Sequence, residues 1–208
     1  MSERAPAQRI LRAAEVLIAE RGIGASLQDV AAEAGLRNKS AVQYYFGSRD
    51  RLIAEAVNAR LAEMETARLR LLAEAEVAGR RDDVRTLVAM LVLPMVQIVD
   101  GPDSTHFARF LDRLRYHPAV TDDAVVFGEG HQSLRIIIGR LTRSLTSVRE
   151  ADRRFRTDSL ATCLLGLVAD YERSVGSLGA AARSRRHEDL VDVLTGLVSA
   201  PSNLRAVP

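Results

Sequence analysis

Apolar positions recur along this chain at spacings of three and four residues, and no stretch alternates at period two. That pattern predicts helices throughout and no strands. Pro6 opens the first helix, Ile10, Leu11, Ala14, Leu17 and Ile18 form its stripe, and Gly22 marks its end. Leu27, Val30, Ala31 and Ala34 form a second, shorter stripe. Ser26 is placed to cap it, Asp29 sits three residues on, and Gly35 stands where a helix-ending glycine belongs. Leu36 follows as an apolar plug, and Asn38 can cap a third helix starting at Lys39. Ser48 then caps a long fourth helix from Arg49, whose stripe of Leu52, Ile53, Ala56, Val57, Leu61 and Met64 runs on towards Ala78 before Gly79.

The remainder continues in helices. A near-continuous apolar run predicts a central helix over Asp82 to Val99, kinked at Pro94. Ser104 to Tyr116, His131 to Leu145, Phe155 to about Val175 and His187 to Ser199 follow, with a break at Gly128-Glu129-Gly130. The expected architecture is all-α. A three-helix unit over residues 1–51 precedes a larger helical domain over residues 52–208.

Projected at about 100° per residue, the third helix divides into two half-cylinders. Lys39, Ser40, Gln43 and Tyr44 share one; Ala41, Val42, Tyr45 and Phe46 share the other. A cation, a hydroxyl, an amide and a phenol on one face suit phosphates and base edges in a major groove, the pattern of a helix-turn-helix recognition helix. An ordinary solvated face has the same appearance, so the wheel leaves both readings open. Tyr45 and Phe46 read as core.

Composition changes this picture little. Of 208 residues, 47% are apolar and 27% charged, which fits a folded chain. The net charge of +2 permits a nucleic-acid partner without demanding one. Residues 1–51 hold eight basic and six acidic side chains, so DNA binding would depend on where charge is placed. Lys39 is the only lysine in the chain, and it lies on the polar face. The single Cys163 excludes an internal disulfide and sits in an apolar run, as core packing. The longest charge-free apolar stretch, Thr86 to Val99, is too short for a membrane span and contains Pro94. The start MSERAPAQR lacks an apolar signal region, and the expected location is cytoplasmic.

Order and spacing carry a resemblance. Ser26-Leu27-Gln28-Asp29-Val30-Ala31, Ala34-Gly35-Leu36, Ser40-Ala41-Val42, Tyr45-Phe46 and Gly47-Ser48-Arg49-Asp50-Arg51-Leu52 resemble the N-terminal module of TetR-type (tetracycline-repressor-like) transcriptional regulators over about Gln8 to Ile53. Beyond Ile53 the likeness is architectural only. The chain departs from the family pattern in two places. One extra residue enlarges the turn at Arg37-Asn38, and Gln43 replaces the usual tyrosine three residues before the phenylalanine.

The resemblance implies a dimeric repressor that binds double-stranded operator DNA and is released by a small-molecule effector. It implies phosphate contacts from Ser26 and Arg49, and base or backbone contacts from Gln28, Arg37, Lys39, Ser40, Gln43 and Tyr44. An effector cavity would lie among the middle helices, where Met90, Met95, Phe107, Phe110, Phe127, His131 and Tyr171 are candidate lining residues. Arg109, Arg113 and Arg135 are candidates to pair an anionic group on a ligand, or to form ordinary salt bridges. The apolar faces of the last two long helices fit either a four-helix dimer interface or an internal core.

Two other classes remain in view at this point. One is a helical small-molecule carrier that ignores DNA; the other is an enzyme. His106, His117, His131 and His187 lack metal-ligand spacing, no glycine-rich phosphate loop follows a strand, and Asp122-Asp123 reads as a solvated pair. No cofactor or metal is expected.

Overall fold

A computed structural model describes residues 4–38, 40–101, 106–122 and 130–202. Every regular element among them is helical. The order is α1 (Arg4–Arg21), α2 (Leu27–Glu33), α3 (Ala41–Phe46), α4 (Arg49–Val77), α5 (Val84–Asp100), α6 (Phe107–Arg113), α7 (Pro118–Thr121), α8 (Gln132–Ser144), α9 (Glu150–Ser174) and α10 (Ala180–Ser199), with a 3-10 turn at Val175–Ser177.

Two apolar clusters organise these helices. Ile10, Ala14 and Leu17 of α1, Val30 and Ala31 of α2, Val42 and Phe46 of α3, and Leu52 of α4 close the first. The second begins at the next residue of α4, Ile53, and gathers α5, α6, α8, α9 and α10, with Ile18 and Ala19 of α1 at its edge. α4 therefore belongs to both cores. Its 29 residues span about 44 Å, so it is a rod joining the two.

α5 is the centre of the second cluster. Nine of its side chains are buried, from Leu87 to Val99, because α4, α8 and α10 pack around it. The helix runs without interruption through Pro94, the position at which a kink was expected. Pro94 removes one backbone donor, but it is itself buried in a helix held by apolar neighbours on both sides, and that packing carries the helix across the gap.

Several boundaries differ from the pattern-based expectation. α3 begins at Ala41, where a start at Lys39 was expected. The Asn38 carboxamide accepts from the Ser40 amide at 2.9 Å, and its carbonyl accepts from the Ala41 amide, so the capping turn uses two more residues. α6 is shorter than the Ser104–Tyr116 segment, ending at Arg113. α9 and α10 start earlier than Phe155 and His187, at Glu150 and Ala180. The added turns hold no large apolar side chain at helical spacing, and Glu150 and Asp152 favour the positive end of the α9 dipole.

Buried polar groups fix the packing of the large domain. Glu172, 8% exposed, accepts from the amides of Ala108 and Arg109 at 3.0 and 3.1 Å and from Arg109 Nε at 3.2 Å. It thereby caps α6 from α9, and α6 in turn packs on α1. Tyr171 donates to Asp100 at 2.5 Å, and His187 Nε2 lies 2.9 Å from the phenol and 3.1 Å from the carboxylate, tying α9, α5 and α10 together. Burial, then the hydrogen bond to Asp100, raises the phenol above its usual range.

Candidate nucleic-acid interface

The helix pair over residues 26–46 is built by local rules. Ser26 Oγ accepts from the Asp29 amide at 3.0 Å, and Asp29 Oδ2 accepts from the Ser26 amide at 3.3 Å, a closed capping box. The Ser26 hydroxyl also donates to Asp29 at 2.8 Å. These bonds from the Ser26 side chain and backbone hold the Asp29 carboxyl below its usual range. Gly35, at φ +67°, lets the chain leave α2 through the left-handed region that glycine adopts without penalty. Leu36, half-buried, docks on the small core behind it.

α3 presents the two faces read from the sequence. Val42 and Phe46 are buried, Tyr45 is half-buried against the same core, and Ser40, Gln43 and Tyr44 are exposed. Tyr44 stands out at 80% exposure and meets Tyr45 edge-to-face with 5.3 Å between ring centroids. The Tyr45 ring, anchored in the core, thus supports a phenol directed at solvent.

Gln43 behaves as the sequence could not foretell. Its amide nitrogen donates to the Gly47 carbonyl, closing the C-terminal turn of α3. Gly47 has φ +71°, and Ser48 then accepts from the Arg51 amide at 3.2 Å to start α4. Gln28 and Arg37 are exposed on α2 and in the turn, and Arg49 is exposed in the first turn of α4. Lys39 lies outside the described residues. Exposed Arg51 adds a cation beside Arg49 that the sequence reading did not single out.

Residues 10–56 match the family model described as bacterial regulatory proteins, tetR family. This chain carries a TetR-type DNA-binding module. The matched span runs from Ile10 within α1 through α2 and α3 to the first two turns of α4, so it ends inside the rod that joins the TetR-type module to the second core. No curated protein matches the sequence. A solved structure described as the molecular basis for control of antibiotic production by bacterial hormones is 23% identical, covers 93% of this chain and 97% of its own, and superposes with a TM-score of 0.50. A TetR-family regulator from Streptomyces coelicolor A3 is 23% identical with 96% and 97% coverage and a TM-score of 0.45. A TetR-family transcriptional regulator from Rhodococcus sp. is 23% identical with 94% and 100% coverage and a TM-score of 0.43. The first of these likenesses supports one helical fold along almost the whole chain.

The module is bonded to the rest by a buried ion pair. Arg60 of α4 donates to Glu15 of α1 through Nε at 2.8 Å and Nη2 at 2.7 Å, and its Nη1 reaches Glu63 at 2.7 Å. Burial alone would lower the Arg60 pKa, but Glu15 and Glu63 more than offset it and hold the group above its usual range. The guanidinium also lies over the Phe107 ring of α6, 5.5 Å from its centroid. Nothing in the apolar pattern marks Arg60 as buried.

Among the ligand candidates, Met90, Met95, Phe107, Phe110 and Tyr171 all belong to the second core, and His131 is 6% exposed at the start of α8. Phe127 lies outside the described residues. Met90 lines a cavity of about 90 Å³ between α4 and α5. A larger cavity of about 270 Å³ lies further along the same seam, lined by Arg60, Glu63, Met64, Ala67, Pro94, Gln97, Ile98 and Gly101. Its α4 residues follow at spacings of three and four, which the sequence offers equally to a plain core stripe. Arg109 is committed to Glu172, while Arg113 and Arg135 are exposed.

No helix among the described residues is long and apolar enough to cross a membrane.

Proposed function

We propose that this protein is a dimeric, ligand-responsive transcriptional regulator, a repressor that a small molecule releases from its operator. The observation that carries the reading is the α3 surface. Ser40 and Tyr44 stand exposed on a helix whose other face is locked in the core, inside a module matched to the tetR family. Tyr44 and Lys39 reach into the major groove, and Ser40, Gln28 and Arg37 contact its rim. Ser26 and Arg49 meet phosphates at the starts of α2 and α4. Gln43 contributes only by giving up its bond to Gly47, so its share is smaller than that of Tyr44.

Dimerisation uses the outward faces of α9 and α10. Phe155 is 70% exposed and Val193 60% exposed, large apolar side chains of the kind a partner helix covers. Gly166 and Gly196, on the same two helices, have open space around them for close approach. A second copy places two recognition helices on successive turns of the duplex. The effector occupies the large helical domain and acts through α4. A coupling of about 1–3 kcal/mol weakens DNA binding roughly 5–150-fold.

The test is a gel shift with DNA from upstream of the protein's own gene. Wild type shifts it specifically, Tyr44→Ala weakens the shift at least tenfold with unchanged helicity, and Phe155→Glu with Val193→Asp gives a monomer by sedimentation. An unshifted duplex, or Tyr44→Ala binding like wild type, refutes the DNA assignment. If the dimer neutralises ~6–10 phosphates, affinity falls roughly 10³–10⁵-fold from 50 to 200 mM salt.

A further inference from the structure

Two arginines of α4 stand two turns apart in opposite circumstances. Arg60 is held by two carboxylates. Arg68 is only 3% exposed, and its Nε and Nη1 meet no acceptor among the described residues. Its Nη2 rests against Met64 Sδ at 3.5 Å, a weak acceptor that does not offset a buried charge. Glu65 is the carboxylate near it, but that side chain is spent on the amide and hydroxyl of Ser133 at the start of α8. Burial lowers the Arg68 pKa to about 10, opposed by Glu65, which leaves the group cationic at neutral pH.

A buried cation whose only nearby carboxylate is bonded elsewhere is destabilising, and an apolar replacement of similar volume removes that cost. Its place in the rod that joins the two cores gives it a use. Met64, the residue that covers the guanidinium, is also a wall of the 270 Å³ cavity between α4 and α5. That cavity is apolar in its lining at Met64, Ala67, Pro94 and Ile98 and polar at Gln97 and at the paired Arg60 and Glu63. Its size lies just below the usual range of small-molecule sites, about 300–1,000 Å³. A methionine is a three-bond, unbranched side chain that repacks readily. Met64 is the one side chain that both lines the cavity and touches the Arg68 guanidinium among the described contacts.

We infer that the α4–α5 cavity takes a small amphiphilic anion, a carboxylate or phosphate on a short apolar chain, whose charged end passes Met64 and pairs with Arg68. The inference rests on the ligand-responsive reading above and gives it a chemical class and a site. It also supplies a route. The occupant lies against Arg60, whose other side holds Glu15 of α1, so binding acts on the contact that fixes the DNA-reading module.

The test compares octanoate, octyl phosphate, 1-octanol and octyltrimethylammonium by titration calorimetry on the full chain. Either or both anions bind at least tenfold tighter than the alcohol, and the ratio between them identifies the headgroup; the cation is weakest. Arg68→Met abolishes the anion preference, Arg68→Lys keeps most of it, and Ala67→Trp, which fills the cavity, loses binding of the anions with Arg68 untouched. Thermal melts of each variant verify folding, and Arg68→Met melts no lower than wild type. Equal binding of the alcohol and both anions, an Arg68→Met variant that still prefers anions, or an Ala67→Trp variant that binds like wild type overturns the proposal. A gel shift with the tighter anion separates the two readings. Anion binding that depends on Arg68 but leaves the DNA complex unmoved supports the site and sinks ligand-controlled release.

Discussion

The Glu15–Arg60 pair is where a single substitution should test how the module is held. Both side chains are almost fully buried, at 3% and 8% exposure, and the two bonds between them are 2.7 and 2.8 Å. Glu15→Ala removes both of these bonds and leaves the buried Arg60 beside Glu63, which is half in solvent. Removing one partner of a buried pair costs about 3–5 kcal/mol; with Glu63 retained, the lower end, about 3 kcal/mol, is expected. The paired change Glu15→Leu with Arg60→Met removes both charges, and it should return to within about 1 kcal/mol of wild type or exceed it. Urea unfolding followed by circular dichroism measures wild type, Glu15→Leu, Arg60→Met and the double variant as the four corners of a cycle, with Glu15→Ala beside them. Hydrogen exchange should show the loss as faster opening of α1 to α3 in Glu15→Ala. A Glu15→Ala cost under about 1 kcal/mol, or a double variant that costs the sum of the singles, refutes the idea that this pair clamps α1 to α4.

Three further outcomes follow from the same structure. Ser26→Ala opens the capping box and should cost ~1 kcal/mol in urea unfolding, with Ser26→Asp recovering most of it. Asp83→Ala should cost a similar ~1 kcal/mol at neutral pH, because the Thr86 hydroxyl and amide bond to Asp83 at the start of α5. Those bonds, the hydroxyl first, lower the Asp83 pKa, so its contribution is present above the ordinary aspartate range and is lost as pH falls through the depressed folded value. Wild type and Asp83→Ala should therefore converge in stability in acid, and a constant gap down to low pH would contradict this. Tyr44→Ala should change stability by less than about 0.5 kcal/mol, since the ring is 80% exposed, so any loss of DNA binding reads as contact and not unfolding.

The first 56 residues were legible in the sequence because their structure is set by short-range chemistry. The Ser26–Asp29 box, the positive-φ glycines at 35 and 47 and the Ser48 cap each need neighbours within a few positions. The two faces of α3 follow from helical period alone, and so does the burial of Val42 and Phe46. Helix starts were less legible where the added turns carry no large apolar side chain, as at Glu150 and Ala180, since the apolar stripe is silent there.

Long-range pairing was invisible. Arginine is ordinarily a surface residue, and nothing local distinguishes Arg60 and Arg68, both buried, from Arg70, which pairs with Glu74 in solvent. Gln43 turned back to Gly47 for the same reason: a helix wheel gives a direction, whereas the partner depends on how the next turn folds. The sequence by itself therefore determined which segments are helical, where the recognition turn lies and which α3 residues face outward. The tertiary structure alone decided that α4 is shared by two cores, that one of its arginines is clamped to α1 and that another is buried with two of its nitrogens lacking an acceptor. Period and capping are properties of neighbouring residues, whereas charge compensation joins positions as far apart as Glu15 and Arg60 and exists only once the helices have packed.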